Sequence, residues 1–210
     1  MEESWLTVLL SGLETICKYN LRTAVILAGG KSSRMKADKA LLSFGSFSSL
    51  AEFQYQRLKP LFSRVYIASK IKKFPFQAPL LLERDERFSP LVALASIWEN
   101  IKVDEVFVLS VDTPFVSLDI IETLCHLASK SKADVIVSSS SRGLEPLCAI
   151  YRRSSYGAIK ELLKEDSHKL HRLLERLDTE EMFFEEEKLF MNLNSPNDYQ
   201  EALEYLQKSV

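Results

Sequence analysis

The sequence predicts an α/β fold, a three-layer α/β/α sandwich built on a mostly parallel central sheet. Strand-like and helix-like runs alternate from residue 23 to the C-terminus, with no internal repeat and no long linker, and that alternation implies layers of helices on a sheet. Most strand-like runs are almost continuously apolar, as strands covered on both faces are. The chain has 210 residues, 46% of them hydrophobic and 27% charged, enough to bury a substantial core as a single domain over residues 23–210.

Taken in order, Thr23–Leu27, Val65–Ala68, Leu80–Leu82, Val106–Leu109, Asp134–Val137 and Leu147–Tyr151 read as strands. Between them Leu50–Leu61, Leu91–Asn100, Ser117–Ala128 and Ser155–Leu163 carry apolar residues at helical spacing. Ser117 is a plausible N-cap, with Asp119 in the first turn. Lys169–Leu177 forms a further short helix. Pro196–Gln207 closes the fold, its proline at a helix start and Tyr199, Ala202, Leu203 and Leu206 on its apolar face. Ser138–Ser141, with Arg142 and Gly143, reads as a flexible surface loop, a substrate-facing lid being the alternative. Glu185–Glu187 reads as a solvated turn.

Residues 1–22 stand apart as an N-terminal extension. Trp5, Leu6, Val8, Leu9, Leu10, Leu13 and Ile16 suggest an amphipathic helix. It opens on Glu2 and Glu3, and Glu14 and Lys18 interrupt it, so it reads neither as a membrane span nor as a cleaved signal. A docked helix and a loose extension both fit.

The formal net charge of −2 argues against a general nucleic-acid binder, so any positive field is local. Cys17, Cys125 and Cys148 are scattered among apolar neighbours without metal-ligand spacing, which suits buried free thiols in a reducing, cytoplasmic setting. His168 and His171 could share a helix face, but no further His or Cys ligand is nearby, so they read as surface histidines.

Two segments carry the chemistry. Thr23–Leu27 runs into Gly29 and Gly30, then a loop with Arg34, Lys36, Asp38 and Lys39. Paired glycines at a strand exit let backbone N–H groups approach an anion, and the cations that follow suit a polyphosphate. A plain turn with a solvated basic loop fits the spacing equally well. Gly30-Lys31-Ser32 is not a Walker loop, because the first glycine would fall at Val25. The dinucleotide pattern also fails, since Gly29 and Gly30 are adjacent and no third glycine follows. The second segment, Val106 to Phe115, empties a buried strand into Asp112, with Pro114 ending regular pairing. A carboxylate on the carboxyl rim of an open α/β sheet suits Mg²⁺; an Asp that merely caps the next turn is the alternative.

Together these segments resemble the signature of nucleotidyltransferases that activate a phosphate with an NTP, here spanning Leu27 to Leu42. Within that group the chain is most similar to the molybdenum cofactor guanylyltransferase family. Ser110-Val-Asp112-Thr-Pro-Phe115, Glu145-Pro-Leu-Cys-Ala-Ile-Tyr151 and Phe190-Met-Asn192-Leu-Asn194-Ser-Pro196 carry the narrower likeness, which runs from Thr23 to the last helix.

The resemblance implies a Rossmann-like nucleotidyltransferase fold over residues 23–210. It implies nucleotide contacts at Leu27, Ala28, Gly29, Gly30, Arg34, Lys39, Asp85 and Asp112. Arg34, Lys39 and Asp112 would be the catalytic residues, Asp112 would be the Mg²⁺ ligand, and Asn192 and Asn194 would lie on the pterin side. The implied reaction transfers GMP from GTP to the terminal phosphate of molybdenum-molybdopterin. Proteins that insert molybdenum or deliver the finished cofactor would be further partners, with no role for nucleic acid or membrane. The chain departs from the family at Lys36, where a glycine is usual, and at Ser89-Pro-Leu-Val-Ala93, which lacks two glycines. Those departures leave open a related enzyme using CTP or a sugar or alditol phosphate, and a binding protein without turnover.

Overall fold

The computed structural model describes residues 21–30 and 37–208. The extension expected over residues 1–22 therefore lies, apart from Leu21 and Arg22, outside the described residues, as do Cys17, Arg34 and Lys36. Seven strands form one sheet: β1 (Thr23–Leu27), β2 (Arg64–Ser69), β3 (Leu80–Leu82), β4 (Glu105–Ser110), β5 (Val135–Ser140), β6 (Gly143–Arg152) and β7 (Thr179–Phe183). Their order is β3-β2-β1-β4-β6-β5-β7. β6 runs antiparallel to both of its neighbours and every other pair is parallel, so the sheet is mostly parallel, as expected.

The apolar runs of the parallel strands are explained by two helical layers. Ala24 and Ile26 of β1 face the layer of α1 (Leu50–Leu58), α3 (Leu118–Lys130) and α6 (Pro196–Lys208). Val25 and Leu27 face α2 (Pro90–Asn100), α4 (Tyr156–Lys164) and α5 (Leu170–Leu174). The period of two along a strand thus feeds both cores at once. α2 is buried from Leu91 through Trp98, which accounts for its apolar residues all round. Ser49, Ser89 and Ser117 each accept a backbone N–H at a helix start, the expected role of small hydroxyl side chains.

Several expectations change. The helix read over Leu50–Leu61 stops at Leu58, because Pro60 has no N–H to continue it. The helix read over Lys169–Leu177 shortens to Leu170–Leu174. Ser138–Ser140 are not a loop: they continue β5, are almost fully buried, and only residues 141–142 connect to β6. Their hydroxyls are satisfied inside the sheet, Ser138 Oγ donating to Cys148 O at 2.7 Å. Gly143 takes a φ of +109° at the turn, a conformation that excludes most other residues. β7 was not expected. Among the described residues no helix is long and apolar enough to cross a membrane.

Candidate active site

β1 lies where the strand order reverses, between β2 on one side and β4 on the other. Sheets of this kind leave a crevice beyond the carboxyl ends of the strands at that point. Here it is a cavity of about 290 Å³, lined by residues 27–30, 38–40, Glu83, 88–90, Ala93, 110–112 and Leu147. Leu27, Ala28, Gly29, Gly30, Lys39 and Asp112 are therefore brought together, as the sequence led us to expect. β1 and β4 are stitched at this rim by Val111 N donating to Leu27 O at 3.0 Å. A register break between Val137 and Ser138 takes Leu147 out of the ladder, and that residue faces the cavity.

The cationic and acidic halves of the site meet directly. Asp38 caps the short turn Lys39–Leu41, its Oδ1 accepting from Ala40 N at 3.1 Å. Lys39 then reaches Asp112, Nζ to Oδ2 3.1 Å, and donates to Asn194 Oδ1 at 2.9 Å. Ser110 Oγ donates to Asp112 Oδ1 at 2.5 Å, which fixes the carboxylate's orientation. Leu193 N donates to Asp112 O at 2.9 Å, bringing the segment of Asn192 and Asn194 against the same loop. Among the described residues no group of three or more His, Cys, Asp or Glu side chains could hold a metal ion. Asp112 offers a single oriented carboxylate, a donor set suited to a hard cation that takes its other ligands from phosphate and water.

Glu83 is the site residue the sequence did not single out. It follows β3 and is buried, with Lys70 Nζ 2.9 Å from its Oε2. Its Oε1 is buried without a hydrogen-bond partner, and a buried acceptor left unpaired is costly. A Cβ added to Gly29 would stand 2.4 Å from that oxygen, so the glycine is what lets the carboxylate lie against the turn. Lys70 also donates to the carbonyls of Asp85 and Arg87, 2.7 Å for the latter, and so holds the whole stretch from Glu83 to Phe88.

Asp85 does not join the cavity. Its Oδ1 accepts from Arg87 N at 2.9 Å, and its carboxylate is forked by the same side chain. Those bonds hold its pKa down at about 2. The acid next to the turn is Glu83, two residues earlier, and its place immediately after an apolar strand was the available signal. Asn192 also turns away, its Nδ2 donating to Phe190 O at 3.2 Å, while Asn194 is engaged through Lys39. Lys73, in the Lys-Ile-Lys-Lys run after β2, donates to Ala28 O at 3.0 Å and pairs with Asp38.

A family model described as MobA-like NTP transferase domain matches residues 24–181. The molybdenum cofactor guanylyltransferase of Helicobacter pylori (strain G27) is 34% identical over 190 residues, spanning 88% of this chain and 92% of its own. That of Campylobacter jejuni subsp. jejuni (serotype O:6) is 35% identical over 186 residues, spanning 87% and 96%. Molybdopterin-guanine dinucleotide biosynthesis protein A from Archaeoglobus fulgidus shares the fold at a TM-score of 0.78 and 20% identity, covering 89% of this chain and 99% of that one. Matched along nearly its whole length by such relatives, the chain belongs to the molybdenum cofactor guanylyltransferase family of nucleotidyltransferases.

Proposed function

We propose that this enzyme transfers GMP from GTP to the terminal phosphate of molybdenum-molybdopterin and releases pyrophosphate. An oxygen of the acceptor phosphate attacks the α-phosphorus, and the bond from that phosphorus to the bridging oxygen of the β-phosphate breaks. The attacking group is already an anion, so alignment and charge neutralisation supply most of the catalysis.

The observation that carries the proposal is the Lys39–Asp112 contact at the mouth of the glycine turn. Gly29 and Gly30 offer backbone N–H groups to the phosphates; Lys39 and Arg34 neutralise the β- and γ-phosphates and the departing pyrophosphate. Asp112 would hold Mg²⁺, which would supply charge neutralisation at the α-phosphate. Asn194, already engaged with Lys39, is assigned to the acceptor side. Glu83 is assigned an acceptor role toward the ring N–H and amino group of guanine, an edge on which adenine and cytosine place a ring-nitrogen acceptor beside their amino group. The buried thiols Cys125 and Cys148 accord with a cytoplasmic enzyme.

The test is incubation of the full chain with molybdenum-molybdopterin, Mg²⁺ and each of GTP, CTP and ATP, followed by mass analysis. The guanine dinucleotide and pyrophosphate should appear with GTP. A cytosine product in its place, or GTP binding with no product, would overturn the proposal.

A further inference from the structure

The Asp112 loop is held from behind by two polar side chains of α1. Gln54 is fully buried, and its Nε2 donates to Thr113 O at 2.9 Å and to Ser110 O at 3.4 Å. Its Oε1 accepts from Arg57 Nη1 at 3.1 Å. The Arg57 guanidinium, stacked 5.2 Å from the Phe53 ring centre, then donates to the carbonyls of Pro114 and Val116. Four carbonyls bracketing Asp112 are thus gripped by one pair of residues a turn apart on a helix.

Arg57 is an unusual choice if the aim is packing alone. The acceptors it meets here, an amide oxygen and two main-chain carbonyls, are all neutral. Desolvation lowers its pKa to about 10, which still leaves a cation at neutral pH. An apolar side chain would fill the space without that desolvation cost, but it would leave the loop carbonyls unpaired. A planar fork is suited to fixing several carbonyls in one geometry. The same helix is tied to the turn of Lys39, since Leu50 N donates to Leu42 O at 2.6 Å.

We propose that Gln54 and Arg57 are positioning residues that set Asp112 opposite Lys39 and the glycine turn, so that α1 fixes the metal-binding and phosphate-binding loops relative to each other. The inference rests on the metal role of Asp112 proposed above, and not on the identity of the acceptor.

Three variants test it in the full chain. Gln54→Glu keeps shape and offers Arg57 a carboxylate, but it removes the donor to Thr113 and Ser110. Arg57→Leu removes the fork. Arg57→Lys keeps the charge with a single donor group and is the fallback if the leucine variant does not fold. Melting temperature, the Mg²⁺ and GTP dependence of turnover, and Mn²⁺ affinity in the presence of GTP are measured for each.

Displacement of a positioned group by about 1 Å can cost on the order of 100-fold in rate. We therefore expect Gln54→Glu to raise the Mg²⁺ needed for half-maximal rate about tenfold and also to melt earlier, since two buried carbonyls lose their donor, and Arg57→Lys to fall between wild type and Arg57→Leu. Variants that melt earlier yet keep wild-type Mg²⁺, GTP and Mn²⁺ dependence would overturn the inference, leaving a purely structural clamp. Wild type that binds Mn²⁺ and GTP without forming product would remove the proposed reaction, and Mn²⁺ affinity would still decide the clamp. Wild type that binds neither would sink both.

Discussion

Glu83 lays an unpartnered carboxylate oxygen against Gly29, close enough that a methyl group on the glycine would stand 2.4 Å away. Lys70 holds the other oxygen at 2.9 Å, so the carboxylate is not free to swing aside. One polar atom behind the glycine turn is therefore left without a donor among the described residues. A hydrogen bond to a charged group contributes about 1.5–3 kcal/mol, which corresponds to roughly ten- to a hundred-fold in affinity. Glu83→Gln should weaken GTP binding within that range and narrow the preference for GTP over ATP and CTP. Gly29→Ala should do the same by pushing the carboxylate out of place. Calorimetric titration with the three nucleotides decides it; unchanged selectivity in both variants would remove Glu83 from base recognition.

Asp112 and Lys39 face each other at 3.1 Å, so a cation on the carboxylate and a phosphate on the ammonium would each take the place of that contact. Asp112→Asn keeps the volume and the Ser110 contact but loses the anionic metal ligand. Turnover should fall by about 10²–10³, the scale of losing one preorganised charge contact in a transition state, with little change in melting temperature. Lys39→Met should chiefly weaken GTP binding, by about tenfold or more, because a phosphate contact is lost. Near wild-type kcat/KM in either variant would contradict the proposed roles.

The part of the sheet legible from sequence was the part buried on both faces. β1 and β4 announce themselves as unbroken apolar runs, and Gly29, Gly30 and Asp112 follow them directly, so the rim they build was visible in the chain. β7 was not, because Thr179–Phe183 is a half-exposed edge strand carrying Glu180 and Glu181. β6 was foreshortened because Pro146 interrupts it; that proline sits beyond the ladder to β4 and at the register break with β5, where proline is tolerated. Ser138–Ser140 read as a loop because three serines supply no apolar signal, yet neighbouring backbone and side chains satisfy their hydroxyls. At the site, the family resemblance points to Asp85, whereas its charge is consumed by Arg87 two residues on. Lys73 and Arg57 act across 35 and 57 residues of sequence, and no local pattern marks such partners.

Lys73 joins the two flanks of the glycine loop, donating to Ala28 O at 3.0 Å and pairing with Asp38. Lys73→Met should release both flanks and raise the KM for GTP several-fold while kcat falls less. Asp38→Asn should have a similar effect, since it weakens the same pair. If the two act as one unit, the double variant will be no worse than the poorer single one, because coupled residues are non-additive. Additive losses in steady-state kinetics would show that the lysine and the aspartate serve the loop independently.

The buried thiols give a pH signature that does not depend on activity. Burial pushes Cys125 and Cys148 from an ordinary value near 9 up to about 12. A raised pKa in the folded state stabilises the fold at pH values below the unfolded value. As pH rises above about 9, the unfolded chain releases thiol protons that the folded one retains, so stability falls. Each thiol contributes a slope of up to about 1.4 kcal/mol per pH unit. Arg57, lowered to about 10, acts with the opposite sign above that pH, and the Tyr151 phenol, pushed up by burial, acts with the same sign as the thiols from its ordinary value near 10, so the thiols are read over pH 9–10 and by the difference from the variant. Urea unfolding should therefore show stability dropping across that interval, and the Cys125→Ala, Cys148→Ala double variant should show a flatter profile even though its baseline stability is lower. An equal slope in wild type and double variant would mean that these thiols titrate alike in both states, contrary to their enclosure beneath the sheet.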